Sequence, residues 1–250
     1  MAAILVKERY KIVCVLYTDE NYACAEAVDI LDREKSEWLL NIYEGPALRR
    51  YLPRFENMSG CAAFRDMFLD GESLTAVFAP CRGTEIDQVF YKGDSHPWRE
   101  RMDFAELVLH EALNMADLDP LVSCPAMVSE NVFVDLAEKR VRLRFLVAPM
   151  EDMNARELVF LTCDQVKKIL RPQLFVPGEL LDFLDELDRG RCPGVVQLYA
   201  LWRECSPGIV RGYEALYKKN AFWRFWKALW IRIKRALKRR KRGWATGETG

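Results

Sequence analysis

Glycine is missing from the first 44 residues of this 250-residue chain; the first is Gly45. Only a backbone free of side chains lets phosphates approach closely. The turn at 17–24, Tyr-Thr-Asp-Glu-Asn-Tyr-Ala-Cys, is therefore no glycine-rich phosphate loop, and its Asp19 and Glu20 would repel a polyphosphate. Histidine is almost absent: His96 and His110 are the two in the chain, which leaves little material for catalytic triads or metal clusters. His110-Glu111-Ala112-Leu113-Asn114 starts like a zinc-protease helix but has Asn114 where the second ligand belongs. Gly93-Asp94-Ser95-His96 leads into Pro97 and reads as a helix-entry loop. The eight cysteines include no Cys-x-x-Cys pair and fall on strand and helix faces that should be buried, the pattern of reduced core thiols in a cytosolic protein. No stretch reaches the ~20 uninterrupted apolar residues of a membrane-crossing helix, and the apolar run in Met1–Tyr10 is too short for a signal peptide. Residues 218–242 contain no acid at all.

That last absence uncovers a polarity that the neutral total hides. The chain has 37 basic and 37 acidic residues, yet residues 218–242 hold twelve Lys or Arg, so residues 1–217 carry 25 basic and 36 acidic side chains, a net charge of −11. On a wheel of about 100° per residue, Phe222, Trp223, Phe225, Trp226, Leu229, Trp230, Ile233 and Leu237 share one face. Arg224, Lys227, Arg232, Lys234, Arg235 and Lys238 occupy the other, with Ile231 the misfit. A Trp-rich apolar face opposite a basic one is the composition of a helix lying in a bilayer interface. The alternatives are an aromatic stripe packed on the acidic body, and a nucleic-acid tail. The second is weaker, because the cations flank a continuous apolar face without dispersed aromatics or polar base-readers.

The preceding residues read as strands, then helices. Tyr10–Leu16, Tyr22–Leu31 and Ser36–Tyr43 form a three-strand meander, Pro46–Phe55 a short helix stopped by Pro53, and 64–69 and 74–80 a strand pair around Asp70-Gly71-Glu72. Cys81-Arg82-Gly83 reads as a connector between two lobes. Trp98–Leu118 is the strongest helix, with Met102, Ala105, Leu109, Leu113 and Ala116 at helical spacing. Residues 121–131 read as an irregular loop, followed by a strand at 132–135, a turn, and a strand at 141–147 in which Val141, Leu143, Phe145 and Val147 alternate with arginines. Short helices at 166–170, 179–187 and 195–205 follow, separated by prolines and glycines including Pro207-Gly208.

Glu130-Asn131-Val132-Phe133-Val134-Asp135 resembles the end of a protein-kinase catalytic loop, and 141–147 resembles the strand leading to the metal-binding Asp-Phe-Gly. The resemblance covers roughly residues 8–150, by order of elements more than by identity. It implies an α+β, two-lobed protein-kinase-like fold with an antiparallel β small lobe (1–83), a reduced helical large lobe (84–217) and a basic amphipathic tail (218–250). It also implies that the charged groups are gone. Ala126 stands at the catalytic Asp, Phe145 at the magnesium-binding Asp, and Asn41, in Trp38-Leu39-Leu40-Asn41, at the phosphate-binding Lys. Asn131 remains, yet one amide cannot hold a magnesium ion, and its plainer role is to hydrogen-bond nearby backbone.

A degenerate kinase-like domain with a shortened large lobe resembles the cytoplasmic domain of the EssB/YukC component of bacterial type VII secretion, a family that carries a transmembrane helix where this chain has its basic, Trp-rich segment. The expectation is a pseudokinase, not an enzyme: a scaffold peripheral to the cytoplasmic face of a membrane. It would bind protein partners, with a homodimer one arrangement, and the anionic surface through 218–242, and would use no cofactor, metal or small-molecule substrate. The competing expectation is an atypical phosphotransferase or nucleotide binder using acids from elsewhere, such as Asp135, Glu151 or Asp152.

Overall fold

The computed structural model describes residues 4–58, 60–92, 95–151, 153–173, 175–218, 220, 222, 223, 226, 229–231, 233 and 234. Its first half is one antiparallel sheet in the order β1-β2-β3-β4-β6-β5. The strands are β1 (Leu5–Val6), β2 (Tyr10–Asp19), β3 (Tyr22–Asp29), β4 (Glu37–Glu44), β5 (Phe64–Asp70) and β6 (Ser73–Phe78). The two-residue turn at Glu20-Asn21 is tighter than the polar turn expected at 18–21, so β2 runs on to Asp19. The sheet curls until strands near its two edges meet. Tyr10 of β2 stacks on Phe68 of β5 with ring centroids 5.9 Å apart, and the Lys7 amide donates to Asp70 Oδ2 at 3.1 Å. Right-handed strand twist makes such coiling the ordinary outcome for a sheet of this width.

Both faces of the sheet are used. A small cluster of Tyr10, Ala27, Leu40 and Val77 fills the inside of the curl. The other face, with Cys24, Leu39, Tyr43, Leu74, Ala76 and Phe78, joins the main core, which continues through the helices. Helix α1 (Gly45–Phe55) lies on this second face with Ala47, Tyr51 and Phe55 buried. Tyr43, Tyr51 and Phe55 pack ring to ring, Tyr43 and Tyr51 at 4.6 Å. Pro53 does not stop α1: it removes one backbone bond, but burial of Tyr51 and Phe55 on either side holds the last turn, and the chain turns off after Phe55. Gly45 at φ +51 starts the helix in a conformation that favours glycine.

The second half is built around α3 (Trp98–Met115), preceded by β7 (Thr84–Glu85) and the short α2 (Ile86–Val89). Arg101 of α3 is 2 % exposed and donates to the carbonyls of Ile169 (2.6 Å) and His96 (3.2 Å), tying the helix entry to the rest. α4 (Pro120–Met127) follows, then a 3₁₀ turn at Ser129–Asn131, β8 (Val132–Asp135) and β9 (Arg140–Leu143). β7, β8 and β9 form a three-stranded antiparallel sheet. The expected irregular loop at 121–131 is therefore mostly helix. Asp119 accepts from the Leu121 amide as its cap and Pro120 occupies the first turn. Every residue from Leu121 to Met127 is buried, and a helix apolar on all sides leaves no periodicity to read.

The remaining helices are α5 (Ala155–Ile169), α6 (Gly178–Asp188) and α7 (Val195–Tyr217). α5 is much longer than the helix expected at 166–170, and α7 runs through Pro207-Gly208, where a break was expected. Burial of Trp202 on one side of that dipeptide, and of Ile209, Tyr213 and Leu216 on the other, holds the helix continuous at the expense of one backbone bond. After α7 the described positions from 222 to 234 are helical, and Asn220 Oδ1 accepts from the Trp223 amide at 3.1 Å, an N-terminal cap. No helix among the described residues is long and apolar enough to cross a membrane.

Candidate functional site

The residues singled out from the sequence meet where the first sheet touches the segment after β9. Asn41, on β4, is fully buried. Its Nδ2 donates to the Phe145 carbonyl at 2.8 Å, and its Oδ1 accepts from the Val147 amide at 2.9 Å and from Tyr22 Oη at 2.6 Å. Tyr43, two residues along β4 and so on the same face, donates its hydroxyl to the Val147 carbonyl at 2.8 Å. Phe145 is buried and stacks almost parallel on Phe78 of β6, centroids 5.0 Å apart. The expected strand at 141–147 therefore pairs as a strand only through Leu143. Beyond it, side chains of β4 take over the backbone groups a strand neighbour would have satisfied.

Asn131 grips the same segment from the other side. Its Nδ2 donates to the carbonyls of Pro125 (2.8 Å) and Leu146 (3.3 Å), and its Oδ1 accepts from Arg144 Nε at 3.0 Å. Arg144 also donates to the Glu130 carbonyl at 2.7 Å and lies over the Phe133 ring at 4.9 Å. Its positive charge favours ionisation of Cys24 on β3 and of Cys81 in the connector. Ala126 is buried inside α4, a methyl with nothing to donate or accept. Asn41 thus bonds Phe145 directly, Asn131 bonds the adjoining Leu146, and no hydrogen bond joins Ala126 to them among the described residues. Sequence reading missed Tyr22, Tyr43 and Arg144; the one available signal was Tyr43 standing two positions after Asn41.

Burial sets the chemistry here. It pushes the Cys24 thiol up to about 12 and the Cys81 thiol up to about 11, although Arg144 pulls both down. Burial also raises the Tyr22 and Tyr43 phenols, so both hydroxyls remain donors at neutral pH. Protonated thiols are poor nucleophiles. A groove of about 670 Å³ opens behind the connector, with Cys61, Cys81, Glu111, Arg142 and Phe145 on its walls. Burial raises the Glu111 carboxyl, opposed by Asn114 and His110. Among the described residues no group of three or more His, Cys, Asp and Glu could hold a metal ion.

A kinase-like fold raises the question of magnesium and a nucleotide. The residues at these positions do not fit them in the usual way. The side-chain oxygens of Asn41 and Asn131 already accept internal hydrogen bonds, and a neutral amide brings no negative charge to a cation. Of the acids that could have served instead, Asp135 caps the β8–β9 turn by accepting from the amides of Ala137 and Glu138. Glu151 is exposed, and Asp152 lies outside the described residues.

The tail residues split in the same way. Phe222, Trp223, Trp226, Trp230 and Ile233 are exposed, Trp230 by 66 %, and Leu229 stands at the margin with 36 %. Lys234 is exposed too. At the described positions the aromatic rings are thus largely exposed. Arg224, Phe225, Lys227, Arg235 and Lys238 lie outside the described residues.

No family model matches the chain, and no curated protein matches it. Solved structures do. The kinase domain of Mycobacterium tuberculosis PknI aligns over 82 % of this chain and 99 % of that domain at 13 % identity, with a TM-score of 0.49. A point mutant of the same domain aligns over the same shares, also at 13 % identity, with a TM-score of 0.53. At that identity the likeness speaks for the fold alone: the chain has a two-lobed, protein-kinase-like α+β fold, with an antiparallel small lobe and a reduced helical large lobe. It also corrects one expectation. The chain was expected not to be an enzyme, yet the solved domain whose fold it shares is a kinase domain. Loss of the familiar charged groups does not by itself remove the chain from that class.

Proposed function

We propose that the chain is a kinase-like scaffold held on the cytoplasmic face of a membrane by the helix that follows α7, where it gathers protein partners. The observation that carries this reading is the outward face of that helix. Phe222, Trp223, Trp226 and Trp230 present their rings to solvent on a helix otherwise dense in Lys and Arg. Aromatic rings of this kind settle at the headgroup level of a bilayer, and each cation near an anionic leaflet contributes about 1 kcal/mol. The scaffold part draws support from the ties between β4 and residues 145–147, which make the two lobes one surface. The resemblance to EssB/YukC cytoplasmic domains supports a place in a bacterial type VII-like secretion or signalling assembly.

Flotation with lipid vesicles tests the membrane reading. Vesicles containing phosphatidylglycerol should carry the full chain upward, and purely zwitterionic vesicles should carry much less. Replacing Trp226 and Trp230 together by Glu should abolish flotation. If a chain lacking residues 218–250 floats as well as the full one, the anchoring role is wrong.

A further inference from the structure

The helix after α7 has a third side. Ile231, the misfit on its wheel, is half-buried, and a Cβ placed on Gly178 would stand 3.9 Å from Ile231 Cγ2. Gly178 is the first residue of α6, so the tail helix touches the body at the start of α6. That helix is acidic: Glu179, Asp182, Asp185, Glu186 and Asp188 all lie within its eleven residues. Its apolar residues Leu180, Phe183 and Leu187 are buried, while Glu179 and Asp182 are exposed at least in part. Helical periodicity, at about 100° per residue, puts Trp226, Leu229 and Ile233 opposite Ile231. An acidic helix thus faces the Ile231 side of the tail. The rings described on the opposite side are exposed.

From this juxtaposition we infer that α6 is the membrane-proximal face of the body, and that the tail helix lies between α6 and the bilayer as a fixed spacer. The inference rests on the membrane reading above and adds an orientation to it. The division of labour follows from charge and polarity. Aromatic rings enter the interface, flanking cations such as Lys234 meet lipid phosphates, and the Ile231 side stays on α6. Glu179 and Asp182, exposed on α6, would be repelled by an anionic surface if they met it directly. The tail helix set between them and the lipid prevents that encounter.

Carbodiimide labelling of carboxylates on the full chain, with and without phosphatidylglycerol vesicles, tests the arrangement, with tryptophan fluorescence recorded in parallel. Vesicles should shift the tryptophan emission to the blue and lower labelling of Glu179 and Asp182 at least threefold. Asp19 and Glu20, at the far end of β2, should label unchanged. The variant Ile231→Glu sets a carboxylate against α6 and leaves the aromatic face intact. It should keep the blue shift and lose the protection of Glu179 and Asp182. A blue shift in the native chain with unaltered labelling of Glu179 and Asp182 would mean a loose tether, and the orientation falls while the membrane reading stands. Equal protection of Asp19 and Glu20 would also overturn it. With no blue shift at all, both readings fall.

Discussion

Asn41 occupies the position that ties the molecule together. Its amide makes three hydrogen bonds in a place with no access to water, to Tyr22, Phe145 and Val147. Removing it leaves a buried carbonyl, a buried amide and a phenol without partners, and each such orphan costs about 1–3 kcal/mol. Asn41→Ala should therefore lower the unfolding free energy by about 3 kcal/mol, read from the urea midpoint. Asn41→Asp keeps the acceptor but cannot donate to Phe145, and should fall well below the native protein too. A second residue gives a pH signature. Asp29 is buried beside Arg9, which holds its carboxyl below the usual carboxylate range through a 2.8 Å hydrogen bond, helped by the Leu31 amide. The folded-state value is depressed, so the stabilisation is fully present above the unfolded value of about 3.9 and is lost as pH falls through the folded one. Arg9 is 45 % exposed, so solvent screens the pair and it is worth about 1 kcal/mol. Asp29→Asn should cost that much at pH 7, and the loss should fade as pH drops through the depressed folded-state value of the carboxyl, as urea titrations across pH would record.

Among the elements, α7 shows most clearly where local preference yields to packing. Its 23 residues include Pro207 and Gly208, and neither ends it. A Cβ added at Gly208 would meet nothing within 4 Å, and the backbone there is helical. Gly208→Ala should stabilise the protein by about 0.5–1 kcal/mol through reduced freedom of the unfolded chain, visible as a higher melting temperature. The strands of the small lobe were legible in the sequence because alternation and turn residues agree there; β2, β3, β4, β5 and β6 stand within a few residues of their expected places. α3 was legible for the same reason, its Met102, Ala105 and Leu109 buried at helical spacing. α4 was not, since a helix buried on every side has no polar face to mark its period. β7 and α2 were missed because elements of two and four residues are too short for any pattern. For the site, the positions of Asn41 and Asn131 could be read from the kinase-like order of elements. The bonds from Asn41 and Tyr43 to residues 145–147 could not, because hydrogen bonds spanning more than a hundred residues leave no trace in local sequence.

For the molecule as a whole, charge is divided between an acidic body and a basic end. The proposed attachment to anionic lipid should therefore weaken with salt. Raising ionic strength from about 0.1 M to 1 M shortens the screening length from about 10 Å to about 3 Å, and vesicle affinity should drop at least fivefold, measured by flotation at each salt concentration. The part driven by the tryptophans should persist, because burying apolar surface does not depend on charge screening.

Kinase lobes that hinge must have a joint, and the joint here is pinned. Residues 145–147 are grasped from β4 by Asn41 and Tyr43 and from the 3₁₀ turn by Asn131. Opening the two halves would tear buried hydrogen bonds in a dry seam, which resists hinging there. A tug on the sheet edge would then reach the helices with little slack, the mechanical property of a strut.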